Sequence, residues 1–278
     1  RPALAVITAI VAGCAGSPEK AGDACNIKDD NCPAALVCAA FEDADVCQIP
    51  AGGACDLKAD KAYCLDGGVC EDDGTGAGVC FRHIAKGGDC DPANAKYEVC
   101  DDGLTCAEAA SGGHKCYPPV LLRGSVFDAA TTAAIAGADL LALDEVATAV
   151  SDIAVSDAKG DYELEVPVPR DDKGAPIPTR SFTLRASAQD YQTFPGGLRT
   201  ALPISAGEAT EQADGWVIET ALTDVALIAL PAAQKGLASI SGTVLAGDSS
   251  GGVLVVAEAG GKGISAVSGK SGAYRIFN

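Results

Sequence analysis

Residues 156–166 read Ser-Asp-Ala-Lys-Gly-Asp-Tyr-Glu-Leu-Glu-Val. The opening Asp and Gly residues have turn chemistry, and the residues after them alternate strictly between apolar and charged. Tyr162, Leu164 and Val166 therefore face one way, toward a core, while Glu163 and Glu165 face water. Working outward, the same pattern of short strands between Gly, Asp and Pro turns continues on both sides. The predicted strands are Leu121–Phe127, Ala138–Leu143, Ile153–Ser156, Tyr162–Val168, Ser181–Ser187 and Leu222–Leu230. Within Ser181–Ser187, Phe182 and Leu184 alternate with Thr183 and Arg185. Strands at this spacing predict an antiparallel β-sandwich.

Upstream the chemistry changes. Tyr117-Pro118-Pro119 marks a boundary and a short stiff linker, and no Cys follows it. Of the 13 Cys, twelve fall into three groups of four: Cys25, Cys32, Cys38, Cys47; Cys55, Cys64, Cys70, Cys80; and Cys90, Cys100, Cys106, Cys116. The middle spacing is the same each time, and every group opens on a Gly-containing turn, so the segment is a tandem repeat. Each unit of roughly 30 residues buries too little apolar surface to fold unaided, so disulfides are expected to hold it. Four Cys allow three connectivities. First-to-third with second-to-fourth is favoured, and the other two stay open. Zinc is the competing chemistry. No C-x-x-C pair supports it, and His83 and His114 occupy different repeat positions.

The chain of 278 residues carries 38 acidic and 20 basic side chains, a net charge of -18. That balance excludes nucleic-acid binding through a general basic surface. Residues 15–118 are the most acidic part, with 19 Asp and Glu against 8 Lys and Arg. Hydrophobic residues make up 48% but aromatics only 5%, so any core is built from small and aliphatic side chains. No apolar run reaches the ~20 residues of a membrane helix.

Pro2–Ala12 is a short apolar run behind one basic residue, as in the h-region of a signal peptide. It ends in Val11-Ala12-Gly13-Cys14, which resembles the lipobox of bacterial lipoproteins. The resemblance implies a lipidated Cys14 that becomes the mature N-terminus. Ala15 rather than Asp follows it, so no inner-membrane retention signal of the enteric type is expected. The absence of Met, the start at Arg1 and the stop at Ile276-Phe277-Asn278 predict a fragment open at both ends.

The repeats resemble the small cysteine-rich modules related to the Dickkopf N-terminal region. The third repeat matches their signature best, as Cys100-Asp101-Asp102-Gly103-Leu104-Thr105-Cys106. The second has Gly67-Gly68-Val69 before Cys70, and the first departs at Ala34-Ala35-Leu36. This implies an extracellular, non-catalytic spacer or binding module over residues 22–118. The second half resembles the carboxypeptidase regulatory-like domain, a transthyretin-like sandwich. Gly124-Ser125-Val126, Ile135-Ala136-Gly137-Ala138, Ser156 to Leu164, Leu184 to Tyr191 and Thr223 to Leu230 follow its motifs in order. Asp190 stands where that family usually has Gly. A second copy begins near Ile240: Gly242-Thr243-Val244 repeats Gly124-Ser125-Val126, and Ser268 to Tyr274 repeats Ser156 to Tyr162. It is expected to be incomplete and poorly packed.

Several stretches imitate active sites. Gly247-Asp248-Ser249-Ser250-Gly251-Gly252 resembles the surroundings of a chymotrypsin-type serine, with one Ser too many and no positioned base. Gly269-Lys270-Ser271 ends a phosphate-loop-like stretch that lacks a βαβ context. Neither His belongs to a zinc-peptidase motif. Glu71-Asp72-Asp73 and Asp101-Asp102 could hold Ca²⁺ but lack an EF-hand loop, and a solvated acidic surface is the plainer reading. Trp216, with Val217 and Ile218, reads as packing. Asp128, Thr131 and Thr132 read as a polar turn that could carry glycan or partner contacts.

The expected organisation is a truncated signal peptide over 1–13, a tether over 14–24, and cysteine modules over 25–47, 55–80 and 90–116. A sandwich over 119–232 and an incomplete one over 237–278 follow. The whole is mainly β and reads as a non-catalytic lipoprotein of the bacterial outer membrane or cell surface. It needs no cofactor or metal. Its partners are the membrane, through the lipid anchor, and a surface protein or polysaccharide, with no nucleic acid. The alternative is the N-terminal region of a secreted metallopeptidase-like hydrolase. A Ca²⁺-dependent binding module is a third reading.

Overall fold

Repeating turn residues and half-buried strands organise the chain as a mainly β protein in the computed structural model, which describes residues 19–213, 215–245, 251–259 and 261–278. Among the described residues, helix is limited to single 3-10 turns. Two units can be told apart: the chain up to Ile84 with Asp91–Val99, and Ala85–Cys90 with Cys100–Asn278.

The first unit is assembled from hairpins. β1 (Val37–Phe41) pairs antiparallel with β2 (Ala44–Gln48), bringing Cys38 opposite Cys47. β3 (Val69–Asp72) and β4 (Gly78–Ile84) repeat the arrangement, with Cys70 opposite Cys80, and β5 (Glu98–Cys100) joins the β4 edge. The two modules are linked by backbone: Ile49 N donates to Tyr63 O and Leu65 N to Ile49 O, both at 2.8 Å. Tyrosines seal the joints. An added Cβ on Gly22 would stand 2.6 Å from the Tyr63 ring, and one on Gly52 would stand 2.8 Å from the Tyr97 ring. Both glycines also have φ near +85°, so only glycine suits these turns. Phe41 and Phe81 flank the same two tyrosines, with ring centroids 5.1 and 5.6 Å away.

The second unit contains the third hairpin, β6 (Thr105–Glu108) with β7 (His114–Tyr117), and the sandwich. The sandwich strands are β8 (Val120–Asp128), β9 (Asp139–Leu143), β10 (Ala154–Val155), β11 (Asp161–Val166), β12 (Ser181–Ser187), β13 (Ile204–Ser205), β14 (Thr210–Gln212), β15 (Gly215–Ile218) and β16 (Val225–Leu227). One sheet has the order β10-β9-β12-β13. The other is β11-β8-β15-β14, with β16 also on β8. Between them lies a core that includes Leu122, Leu140, Leu164, Phe182, Leu184, Ile204, Ile218 and Leu227. In β11 the alternation is complete: Tyr162, Leu164 and Val166 are buried and Asp161, Glu163 and Glu165 exposed. The sheets are not wholly antiparallel. β15 and β16 both run parallel to β8, one beside Val120–Leu122 and the other beside Val126–Asp128. The chain crosses between them at Gly124, where a Cβ would stand 2.2 Å from Thr223 O. Asp190 has φ +68°, a conformation that Asp tolerates better than most residues.

Arg170 fastens the third hairpin to the sandwich. Its Nη2 donates to Pro118 O at 2.6 Å and its Nη1 to Gly174 O at 3.4 Å, while its backbone exchanges bonds with Glu108 and Ala110. The side chain is buried, Nε has no hydrogen-bond partner, and desolvation lowers the guanidinium pKa to about 10.

The last strands are β17 (Ile240–Thr243), β18 (Leu254–Ala259), β19 (Lys262–Val267) and β20 (Ala273–Ile276), forming two separate two-stranded pieces. Val267 packs against Leu141, Leu143 and Ala149 on the outer face of the first sandwich. Ile240, Leu254, Val256 and Ile264 remain substantially exposed.

Candidate functional site

Each cysteine group holds two disulfides, first to third and second to fourth. They are Cys25–Cys38 and Cys32–Cys47, Cys55–Cys70 and Cys64–Cys80, Cys90–Cys106 and Cys100–Cys116. The loops they close are alike, with separations of 13 to 16 residues. The two bonds of a group lie side by side, so three sulfurs, such as those of Cys25, Cys32 and Cys47, fall within 4.8 Å of one another. That clustering could suit a metal only as free thiolates; here every one of these sulfurs is in a disulfide.

The acidic runs act locally. Asp72 Oδ1 accepts from Gly74 N and Gly76 N, and Asp73 Oδ1 accepts from Thr75 N and Thr75 Oγ1 at 2.9 and 2.6 Å. The bond from the Thr75 hydroxyl, then that from its amide, holds the Asp73 pKa below its usual value. These carboxylates fold their own turn. Asp128 does the same, accepting from the Thr131 and Ala130 amides and the Thr131 hydroxyl, and these bonds lower its pKa. The residues read from sequence as a polar turn therefore form one.

The phosphate-loop look-alike is a turn too. Gly269, Lys270 and Ser271 lie between β19 and β20. Lys270 N donates to Ser151 O at 2.8 Å and Ser271 N to Asp152 Oδ1 at 2.7 Å, so these amides are not free to cradle a phosphate. Residues 247–250 of the serine-protease-like stretch lie outside the described residues, as do Cys14 and the expected signal peptide over 1–13. Trp216 sits on β15, partly buried against the core, beside fully buried Ile218. His83 is exposed and lies 3.4 Å from Glu71. No helix among the described residues is long and apolar enough to cross a membrane.

Two places on the second unit gather polar groups. An open groove on the outer face of β8 and β11 is lined by Arg123, Ser125, Asp161, Glu163, Glu219 and Asp224. Its carboxylates are already engaged in part: Glu163 accepts from Arg123 Nε at 2.7 Å, and Asp224 accepts from Ser125 N and Oγ at 2.9 and 2.8 Å. The other is a small cavity between β9, β12, β19 and β20, where Asp139, Arg185 and Arg275 meet. Asp139 is 7% exposed, and burial raises its pKa to about 6 despite Arg275. The pair is separated by 3.4 Å, yet Asp139 Oδ1 has no hydrogen bond, so the contact is too poorly aligned to offset desolvation. Arg185, whose pKa burial lowers, donates to Ser265 O at 3.4 Å.

No protein-family model matches the chain, and a search of curated proteins returns no match.

Proposed function

We propose that this protein is a non-catalytic lipoprotein of a bacterial cell surface, tethered through Cys14, that works by holding and presenting binding modules. In this reading the Dickkopf-like cysteine modules and the carboxypeptidase regulatory-like sandwich are spacer and presentation domains. Their partner is a surface protein or polysaccharide. One observation carries the reading. All twelve cysteines from Cys25 to Cys116 are in disulfides, inside modules with little other core. Such modules need an oxidising compartment, outside the reach of cytoplasmic thiol reductants. A net charge of -18 gives no electrostatic attraction to anionic lipid, so acyl chains must supply the membrane affinity.

The test is metabolic labelling with an alkyne fatty acid in a bacterium that processes lipoproteins. The expected result is label on the protein and recovery in the membrane fraction, both lost in Cys14→Ser. An unlabelled protein, or a labelled Cys14→Ser variant, would reject the tether.

A further inference from the structure

The register of the three hairpins sets the third and fourth cysteines of each module opposite one another. Cys38 faces Cys47, Cys70 faces Cys80, and Cys106 faces Cys116. Opposed residues of an antiparallel pair point to the same face of the hairpin. Neither bonds its neighbour; the third reaches the first cysteine and the fourth reaches the second. The two disulfides therefore leave one face side by side. The sulfurs that converge are those of the first, second and fourth cysteines. Cys25 lies within 4.8 Å of Cys32 and Cys47, Cys55 of Cys64 and Cys80, and Cys90 of Cys100 and Cys116. The third cysteine is outside each of these trios. So the first cysteine stands beside a disulfide to which it does not belong.

Backbone, and not only its own disulfide, holds it there. Cys55 N donates to Gly78 O, and Cys80 N to Gly53 O, both at 2.9 Å. Cys25 N donates to Asp45 O and Cys47 N to Asp23 O, while Cys90 N donates to His114 O and Cys116 N to Gly88 O. The same pair of bonds thus ties the first cysteine to the strand of the fourth in all three modules. Access differs between the two disulfides. In the second module Cys55 and Cys70 are only partly buried, whereas Cys64 is 3% and Cys80 1% exposed. Cys47 and Cys116, in the place of Cys80, are fully buried as well. A thiol from solvent meets the first-to-third bond and is kept from the second-to-fourth bond.

We propose that the first cysteine of each module is an internal exchange nucleophile, which carries the opening of its own disulfide to the buried disulfide beside it. The co-reactant is a low-molecular-weight thiol, acting as its thiolate. That thiolate attacks Cys70 Sγ, the Cys55–Cys70 bond breaks, a mixed disulfide forms on Cys70, and Cys55 leaves as a thiolate. Cys55 Sγ then attacks Cys80 Sγ, the Cys64–Cys80 bond breaks, a Cys55–Cys80 bond forms, and Cys64 leaves as a thiolate. The second step breaks one S–S bond and makes one, so it needs no further oxidant or reductant. Held at this distance, it is unimolecular and outpaces attack from solvent. Each module is then a single redox unit, in which one accessible bond governs both staples. The device lies in the modules and does not rest on the tether at Cys14.

Two variants of the 278-residue chain separate the first cysteine from the third. Cys70→Ser and Cys55→Ser remove the same disulfide; the former leaves Cys55 as the free thiol, the latter Cys70. Both are held at about pH 8, where thiols are partly ionised, then quenched in acid, alkylated and mapped by peptide mass spectrometry. In Cys70→Ser the alkyl label should reach Cys64 or Cys80 as well as Cys55, at about ten times or more the level in Cys55→Ser. In Cys55→Ser it should stay on Cys70. In the unmutated chain, limiting glutathione should be found on Cys70, with free thiol on Cys64 or Cys80 as well as on Cys55. Label confined to Cys55 in Cys70→Ser would overturn the proposal. Equal scrambling in the two variants would do the same, because a module merely loosened by losing a staple gives that result. So would glutathione and free thiol confined to Cys55 and Cys70 in the unmutated chain.

Discussion

The two cysteine modules of the first unit and the sandwich of the second solve the same problem by opposite means. A cluster of buried residues in the modules comprises only Ile49, Cys64 and Cys80, two of them half-cystines. The sandwich core joins both sheets through buried aliphatic and aromatic side chains and contains no cysteine. Disulfides act by restricting the unfolded chain, and they work in a unit too small to bury a core. Hydrophobic burial acts on the folded state and needs two layers to enclose it. Covalent chemistry thus stands in for apolar area, and it makes the modules, but not the sandwich, dependent on redox conditions.

The comparison can be broken most directly in the modules. Replacing Cys32 and Cys47 by Ser removes a staple with a separation of 15 residues, and loops of that size are worth about 3 kcal/mol. Removing Cys25–Cys38 as well should cost about 6 kcal/mol and unfold the first module, with amide protection lost over 25–47. Leu122→Ala in the sandwich should cost about 4 kcal/mol by leaving a cavity in the core. It should lower the denaturation midpoint reported by Trp216 and leave the disulfides intact.

A smaller effect tests the polar contact at the edge of the sandwich. Asp139 has a pKa raised from 3.8 to about 6. The folded state therefore holds its proton more tightly than the unfolded state. The resulting stability is fully present below pH ~4 and lost as pH rises through about 6. Relative to Asp139→Asn, the protein should lose about 2.5 kcal/mol between pH 4 and pH 7.5, measured by urea unfolding of both forms at each pH. A pH-independent difference would assign Asp139 an ordinary carboxylate pKa. Smallest is Arg170→Met. It strands the Pro118 and Gly174 carbonyls but relieves a desolvated cation, for a net loss of about 2 kcal/mol. Calorimetry should place that loss in the transition that includes the third hairpin.

The staples were legible because cysteine spacing repeats, and β11 because its two faces meet different surroundings. β15 was not. Gly215-Trp216-Val217-Ile218 has no alternation, since Val217 and Ile218 are both buried, and a period-two search finds nothing there. The parallel pairing of β15 and β16 was hidden for a related reason: sequence pattern reports which face is buried, not which strand lies beside it. The second copy was visible in its Gly-Thr-Val and Ser-to-Tyr motifs. The turn roles of Asp72, Asp73 and Asp128 could be read only in part, since an acidic residue beside glycine suits a turn and a cation site equally well.

The most direct measurement reduces all six disulfides under native conditions and follows two reporters together. Trp216 is the chain's one tryptophan and lies in the sandwich, so its fluorescence reports that part of the molecule. Amide exchange over 25–84 reports the modules. Reduction is expected to remove protection from the modules while the Trp216 emission and its denaturation midpoint stay unchanged. Modules that keep their protection after reduction, or a Trp216 transition that disappears with the disulfides, would contradict it.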